Sequence, residues 1–217
     1  MTPSTFPAAL AVVALAAGSL LAQTPPAPAQ APARDLTNPA AFTDTAPETY
    51  LAVFDTSVGI FVVKVYRAWA PNGADRFYNL AKNGFYDGCR FHRVVKDFMA
   101  QFGIHGDPAV AAAWKDAMIP PDRARMSNTR GRVTFAQGTL ASSRTTQVFI
   151  NFGTNSRLDI DGFAPIGEVI TSMVVVERLY NEYGEGVPQS LIVEGGNAFL
   201  AKYFPQLSYI KTVKIEG

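Results

Sequence analysis

The sequence predicts a mainly β fold, a closed antiparallel barrel of about eight short strands with two helices, and three observations carry that reading. Eight β-rich runs follow one another, at residues 50–55, 59–66, 90–95, 98–102, 131–136, 147–152, 164–170 and 208–215. Only two stretches have helical spacing, near 70–80 and 173–180. The connections are mostly turns, whereas a parallel sheet needs a crossover after each strand.

The first two runs, YLAVFD and GIFVVKVY, flank Thr56-Ser57-Val58 and read as a hairpin. In the next segment, Pro71 suits a first helical turn, Phe77, Leu80 and Ala81 form an apolar stripe, and Gly84 is a stop signal. The run at 90–95 is read as extended, with Phe91, Arg93 and Val95 on one face and His92 and Val94 on the other. Arg93 thus stands among apolar neighbours, where a guanidinium needs a partner or a task. Close by, Phe98, Met99 and Gln101, then FAQ at 135–137 and QVFIN at 147–151, supply aromatic, thioether and amide groups suited to gripping an apolar ring, although each taken alone reads as core rather than pocket.

The N-terminal segment differs in kind. No Asp, Glu, Lys, Arg or His precedes Arg34, and residues 8–22 form an uncharged apolar run. A membrane span needs about 20 such residues, so no span is expected; the run has the length of a signal-peptide core instead. Residues 1–22 are therefore read as a signal peptide, and the product as secreted or periplasmic. Residues 23–47 are read as a Pro/Ala-rich disordered linker, since residues 1–47 hold 8 of the 15 prolines and one of the 17 glycines. The folded domain is expected at 48–217.

Composition excludes several classes of function. Lys+Arg total 19 against Asp+Glu 18, which gives no field to attract nucleic acid. One Cys and two His cannot close a four-ligand zinc site, and no cofactor or metal is expected. Cys89 and His92 would point to opposite faces of a strand. Ser142 and Ser143 lack a nucleophile elbow and read as turn residues. Asp159 and Asp161 read as a polar turn into Gly162 rather than a cation loop.

One segment is specific. FYDGCRFHRVVKDFMAQFG, residues 85–103, resembles the signature of the cyclophilins, peptidyl-prolyl cis/trans isomerases, and the likeness runs in order through the hairpin, the helix at 70–80, 130–136, TQVFIN, Leu158-Asp159, 162–169 and the last strand. The resemblance implies a closed eight-stranded antiparallel barrel capped by two α-helices, acting as a monomer on proline-containing polypeptides without a cofactor. It assigns Arg93 as the catalytic arginine and Gln101 as its polar neighbour. Phe98, Met99, Phe149 and Leu158 become walls of the proline pocket, and Gln147 a further polar position. Ala136 and Gln137 fall in the groove for the residue before proline. Phe163 stands where animal members have a pocket His, and Arg157 where many have a ligand-binding Trp. The loop 103–125 departs from the family pattern: QFGIHGDP has two residues more than usual, and DPAVAAAWKDAMIPPDR, residues 107–123, replaces a Gly-rich loop. The competing expectation is a non-catalytic, chaperone-like module that binds proline peptides with the same fold.

Overall fold

The structure is a computed structural model that describes Met1, residues 34–171 and residues 173–217. The expected signal peptide beyond Met1, and the part of the expected linker before residue 34, lie outside the described residues.

Eight strands form one antiparallel sheet: β1 (Thr49–Thr56), β2 (Gly59–Tyr66), β3 (Arg93–Val95), β4 (Met99–Phe102), β5 (Arg132–Phe135), β6 (Val148–Asn151), β7 (Pro165–Val169) and β8 (Ile210–Glu216). Their order is β3-β4-β6-β5-β7-β2-β1-β8, a curled half-barrel with β3 and β8 at its edges. The closed ring expected from sequence is thus not a continuous ladder. Between the two edges, Gly88 N donates to Ile210 O (2.8 Å), Ile210 N to Cys89 O (2.9 Å) and Phe91 N to Ser208 O (2.9 Å), with a lone bridge between Arg90 and Tyr209.

These bonds also explain why β3 is shorter than expected. The chain leaves regular extension at residues 91–92, so the alternation read from Phe91 to Val95 does not hold. Phe91 turns into the core, where its ring meets Phe102 edge-on at 5.2 Å, while Arg93 faces the other way. In β1 and β2 period-two burial is kept. Phe54 and Phe61 are register partners in the first hairpin, and their rings stack at 4.7 Å. Phe102 and Phe77 pack against Phe54.

Helix α1 (Pro71–Lys82) forms where expected, but its N-terminal residue Ala70 has no side chain to cap it. Asp122 does so from a distant loop: its two oxygens accept from Asn72 N (3.0 Å) and Gly73 N (2.9 Å), satisfying donors left open by the first turn. The same carboxylate pairs with Arg144 at 3.0 Å, and the two side chains are 3% and 2% exposed. Two short helices follow, α2 (Pro108–Trp114) and α3 (Arg157–Ile160).

The helix expected at 173–180 is only one turn, α4 (Met173–Val176). After Glu177 N bonds Met173 O, the chain tightens to three-residue bonds from Arg178 to Val175 and Leu179 to Val176. Three successive valines, whose branched side chains crowd a helix, make that exit easy. The long second helix is α5 (Gln189–Tyr203), which the sequence reading does not anticipate. It is kinked at Gly196 (φ 56°, ψ −151°), and a Cβ there would meet Gly106 O at 2.2 Å. Asn197 N uses the close approach to bond Gly106 O at 2.8 Å. Ile104, Ala111, Val187, Ile192, Leu200 and Leu207 form a second apolar cluster joining α2, α5 and their loops.

Residues 34–47 correct the linker boundary, because they pack on the domain despite their prolines. Phe42 is buried with its ring edge-on to Trp114 at 5.1 Å, Trp114 Nε1 donates to Leu36 O at 2.6 Å, and Arg34 pairs with Asp44 at 2.8 Å. A single buried aromatic and a few side-chain bonds anchor a stretch whose average composition resembles a tether.

Candidate active site

Strand register builds the site. On β4, Ala100 and Phe102 enter the barrel core, so Met99 and Gln101 must face outward. On β6 the same alternation sends Val148 and Ile150 inward and Phe149 outward. Gln101 is the register partner of both Arg93 on β3 and Phe149 on β6, which aligns a cation, an amide and an aromatic wall across three strands.

Together they line a groove of about 400 Å³ with Phe98, Met99, Ala136, Gln137, Gly138, Ser143, Thr145, Gln147, Leu158, Phe163 and Gln189. Every site residue named from sequence therefore lies in one groove. Gly138, Ser143, Thr145 and Gln189 were not expected. The first three sit in a polar turn with no signal of its own, and Gln189 belongs to the unforeseen helix α5.

Its polar groups form a chain. Gln101 Nε2 donates to Gln147 Oε1 at 2.7 Å, which leaves Gln101 Oε1 to accept from Arg93 Nη1 at 3.3 Å. The guanidinium lies over the Phe98 ring, 5.6 Å from its centroid. Opposite, Phe149 meets Phe163 edge-on at 5.9 Å. Met99 and Phe149 are buried yet stand outside the main core cluster, as groove-lining residues should.

The far wall is held by Asp159. Its oxygens accept from Ser127 Oγ (2.5 Å), Asn128 N (2.8 Å) and Asn128 Nδ2 (2.7 Å), while Asn128 Nδ2 also reaches Phe163 O at 3.0 Å. Burial alone would raise the Asp159 pKa, but these hydrogen bonds hold it below the ordinary value. The carboxylate thus fixes the turn that carries Leu158 and Phe163. Gln137 ties the adjacent loop to that turn, donating to Asp161 O at 2.9 Å.

Other reactive side chains are committed elsewhere. Cys89 is buried, which pushes its thiol up, and its Sγ contacts Phe85 O at 3.6 Å. His92 is buried and pushed down to about 4. Ser143 Oγ donates to Leu140 O and accepts from Gly138 N, closing a turn. Among the described residues no group of three or more His, Cys, Asp or Glu side chains is placed to hold a metal, and no described helix is long and apolar enough to cross a membrane. Arg157 is exposed at the start of α3, outside the groove, in a shallow depression shared with Phe98 and Leu158.

The site is thus an open groove on a curled antiparallel sheet, with one arginine, two linked glutamines and aromatic walls. Residues 51–194 match the family described as cyclophilin type peptidyl-prolyl cis-trans isomerase/CLD, and the chain belongs to that family. It is 34% identical over 134 residues to a peptidyl-prolyl cis-trans isomerase of Acinetobacter baylyi, covering 58% of this chain and 69% of that one. To peptidyl-prolyl cis-trans isomerase B of Escherichia coli it is 29% identical over 136 residues, covering 59% and 83%. Among solved structures, a cyclophilin type isomerase of Cryptosporidium parvum shares the fold with a TM-score of 0.59 at 16% identity, over 78% of this chain and 98% of that one. A second structure of that protein, obtained in the presence of the dipeptide Ala-Pro, gives 0.58 at 17% identity, over 77% and 99%.

Proposed function

We propose that this protein accelerates cis/trans rotation about X-Pro bonds of polypeptides, with Arg93 as the catalytic residue. The observation that carries the reading is the row Arg93–Gln101–Phe149, with a guanidinium fixed by an amide beside an apolar socket. Rotation about an amide must break resonance, against a barrier of about 18–20 kcal/mol. In the twisted transition state the prolyl nitrogen becomes pyramidal and regains a lone pair. An Arg93 N–H donates to that lone pair there and hardly at all in the planar ground state, so binding energy is used where it lowers the barrier. Phe98, Met99, Phe149, Leu158 and Phe163 hold the proline ring, and Ala136 with Gln137 receives the residue before it. Gln101, itself held by Gln147, keeps the guanidinium in place. About 7 kcal/mol of transition-state stabilisation corresponds to a roughly 10⁵-fold acceleration.

The bonds between residues 88–91 and 208–210 support a barrel closed at its seam without a full ladder. The uncharged run 8–22 supports export to a secreted or periplasmic location, with residues 23–33 as the tether, and the protein acts as a monomer. A protease-coupled assay on an Ala-Pro tetrapeptide tests the activity, since a binding module of the same fold would retain the peptide without hastening its isomerisation.

A further inference from the structure

Arg93 carries a partner for which the proposed reaction has no use. Glu185 Oε1 accepts from Arg93 Nε at 3.0 Å and also from Nη2, so one carboxylate oxygen occupies a whole edge of the guanidinium. With Nη1 held by Gln101, three of the five guanidinium N–H groups are engaged before any peptide arrives. Glu185 comes from the segment leading into α5, whose base is firm on both sides. Before it, the Tyr183 ring packs edge-on against Tyr180 (4.9 Å) and Phe204 (5.2 Å); after it, Val187 is buried in the second apolar cluster. Between these anchors Glu185 is flanked by Gly184 and Gly186, and Gly184 has φ +50° with open space where a Cβ would stand. The Glu185 side chain is 64% exposed and that of Arg93 31%. An ion pair of that exposure contributes a factor of about five at most and weakens with salt. The contact is therefore an exposed, displaceable carboxylate at the tip of a turn that Gly186 N closes by donating to Tyr183 O at 2.8 Å.

We propose that Glu185 is a specificity-determining residue, which competes with the peptide for Arg93 and makes the groove select substrates by the charge of residues flanking the proline. The proposal rests on the isomerase reading above. A neutral peptide must displace the carboxylate unaided. A lysine or arginine beside the proline offers Glu185 another cation and frees the guanidinium for the prolyl bond. An acidic side chain meets like charge and finds Arg93 already neutralised.

The test is cis–trans exchange measured by NMR on peptides that differ in one residue, Lys, Ala or Glu, next to the proline, in one series before it and in one after it, with wild type and Glu185→Gln. For wild type at low salt, the expected ranking of kcat/KM in at least one series is Lys over Ala over Glu, with steps of up to about fivefold that shrink at roughly 0.5 M salt. Glu185→Gln should level that series and raise kcat/KM on the Ala peptide through a higher kcat, since Arg93 meets the prolyl nitrogen only in the transition state. The same ranking in the variant overturns the proposal. So does a loss of activity on the Ala peptide, which would mean that Glu185 orients Arg93 rather than competing for it. If wild type accelerates no peptide, the isomerase reading fails by itself; the ranking is then read from peptide Kd values by titration, and its presence in wild type with loss in Glu185→Gln still decides the charge proposal.

Discussion

Arg93 and Gln101 stand opposite one another on β3 and β4, and the Arg93 Nη1 donates to the Gln101 amide oxygen at 3.3 Å. The amide is held in turn by Gln147. A planar, forked donor set by strand register is what the proposed chemistry requires. Arg93→Lys should therefore not restore activity, since a point ammonium on a flexible stem does not reproduce the fork. Its kcat/KM on an X-Pro peptide, compared with that of Arg93→Ala, checks this; near-wild-type efficiency contradicts the lone-pair mechanism.

Met99 and Phe149 are 1% and 4% exposed, yet their side chains line the groove. Met99→Ala and Phe149→Ala should raise KM several-fold by widening the proline socket. Their stability loss should fall near the low end for buried side chains, about 2–3 kcal/mol, because the space opened faces the groove. Peptide titration and urea unfolding separate the two effects; unfolded variants would place both residues in the core instead.

Asp122 caps α1 and neutralises buried Arg144. Asp122→Asn leaves a guanidinium charge in the interior, and removing one partner of a buried pair costs about 3–5 kcal/mol. A fall of that size in unfolding free energy is expected, although Asp122 is not among the groove residues. A loss below 1 kcal/mol would show that the pair carries little of the fold.

Burial pushes His92 from its ordinary 6.5 down to about 4. Between those values the unfolded chain binds a proton that the native protein does not, so this contribution to stability is full above pH 6.5 and is lost as pH falls towards 4. The slope from one such group approaches about 1.4 kcal/mol per pH unit. His105, also lowered by burial, acts in the same direction, while Asp87, raised by burial, opposes it. Urea midpoints should drop between pH 7 and pH 5, and His92→Gln should flatten that drop; an unchanged slope in the variant would assign it elsewhere.

Arg157 opens α3 as an exposed residue beside Phe98 and Leu158, and the resemblance of the sequence to the cyclophilins implies that it replaces a Trp that would pack on cyclosporin. A guanidinium donates but gives no flat apolar wall, so cyclosporin should inhibit weakly. Arg157→Trp should tighten inhibition about 5- to 150-fold, the equivalent of roughly 1–3 kcal/mol of buried aromatic contact, with peptide turnover little changed. No gain on substitution would remove this position from the inhibitor site.

The hairpin β1–β2 was legible because its alternation is unbroken, and the groove because the segment 85–103 resembles the cyclophilin signature, which implies the groove residues that local pattern alone would leave in the core. Helix α5 was not, since Gly195-Gly196 reads as a break and only the Gly106 carbonyl explains why the second glycine is kinked there. The early start expected for β3 failed because Phe91 and its neighbours bond to residues 208–210, a pairing invisible to local periodicity. Glu185 reads locally as a solvated turn residue. Its meeting with Arg93, 92 positions away in sequence, exists only in the fold.

The central claim is that Arg93 acts on the transition state rather than on binding. Its most direct test is the cis–trans exchange rate of an Ala-Pro tetrapeptide, measured by NMR with wild type and with Arg93→Ala at equal fractions of bound peptide. Strong acceleration by wild type is expected, with a loss of about 10²–10³-fold in the variant, the usual effect of removing one preorganised donor. Equal exchange rates for the two proteins at matched occupancy would contradict it.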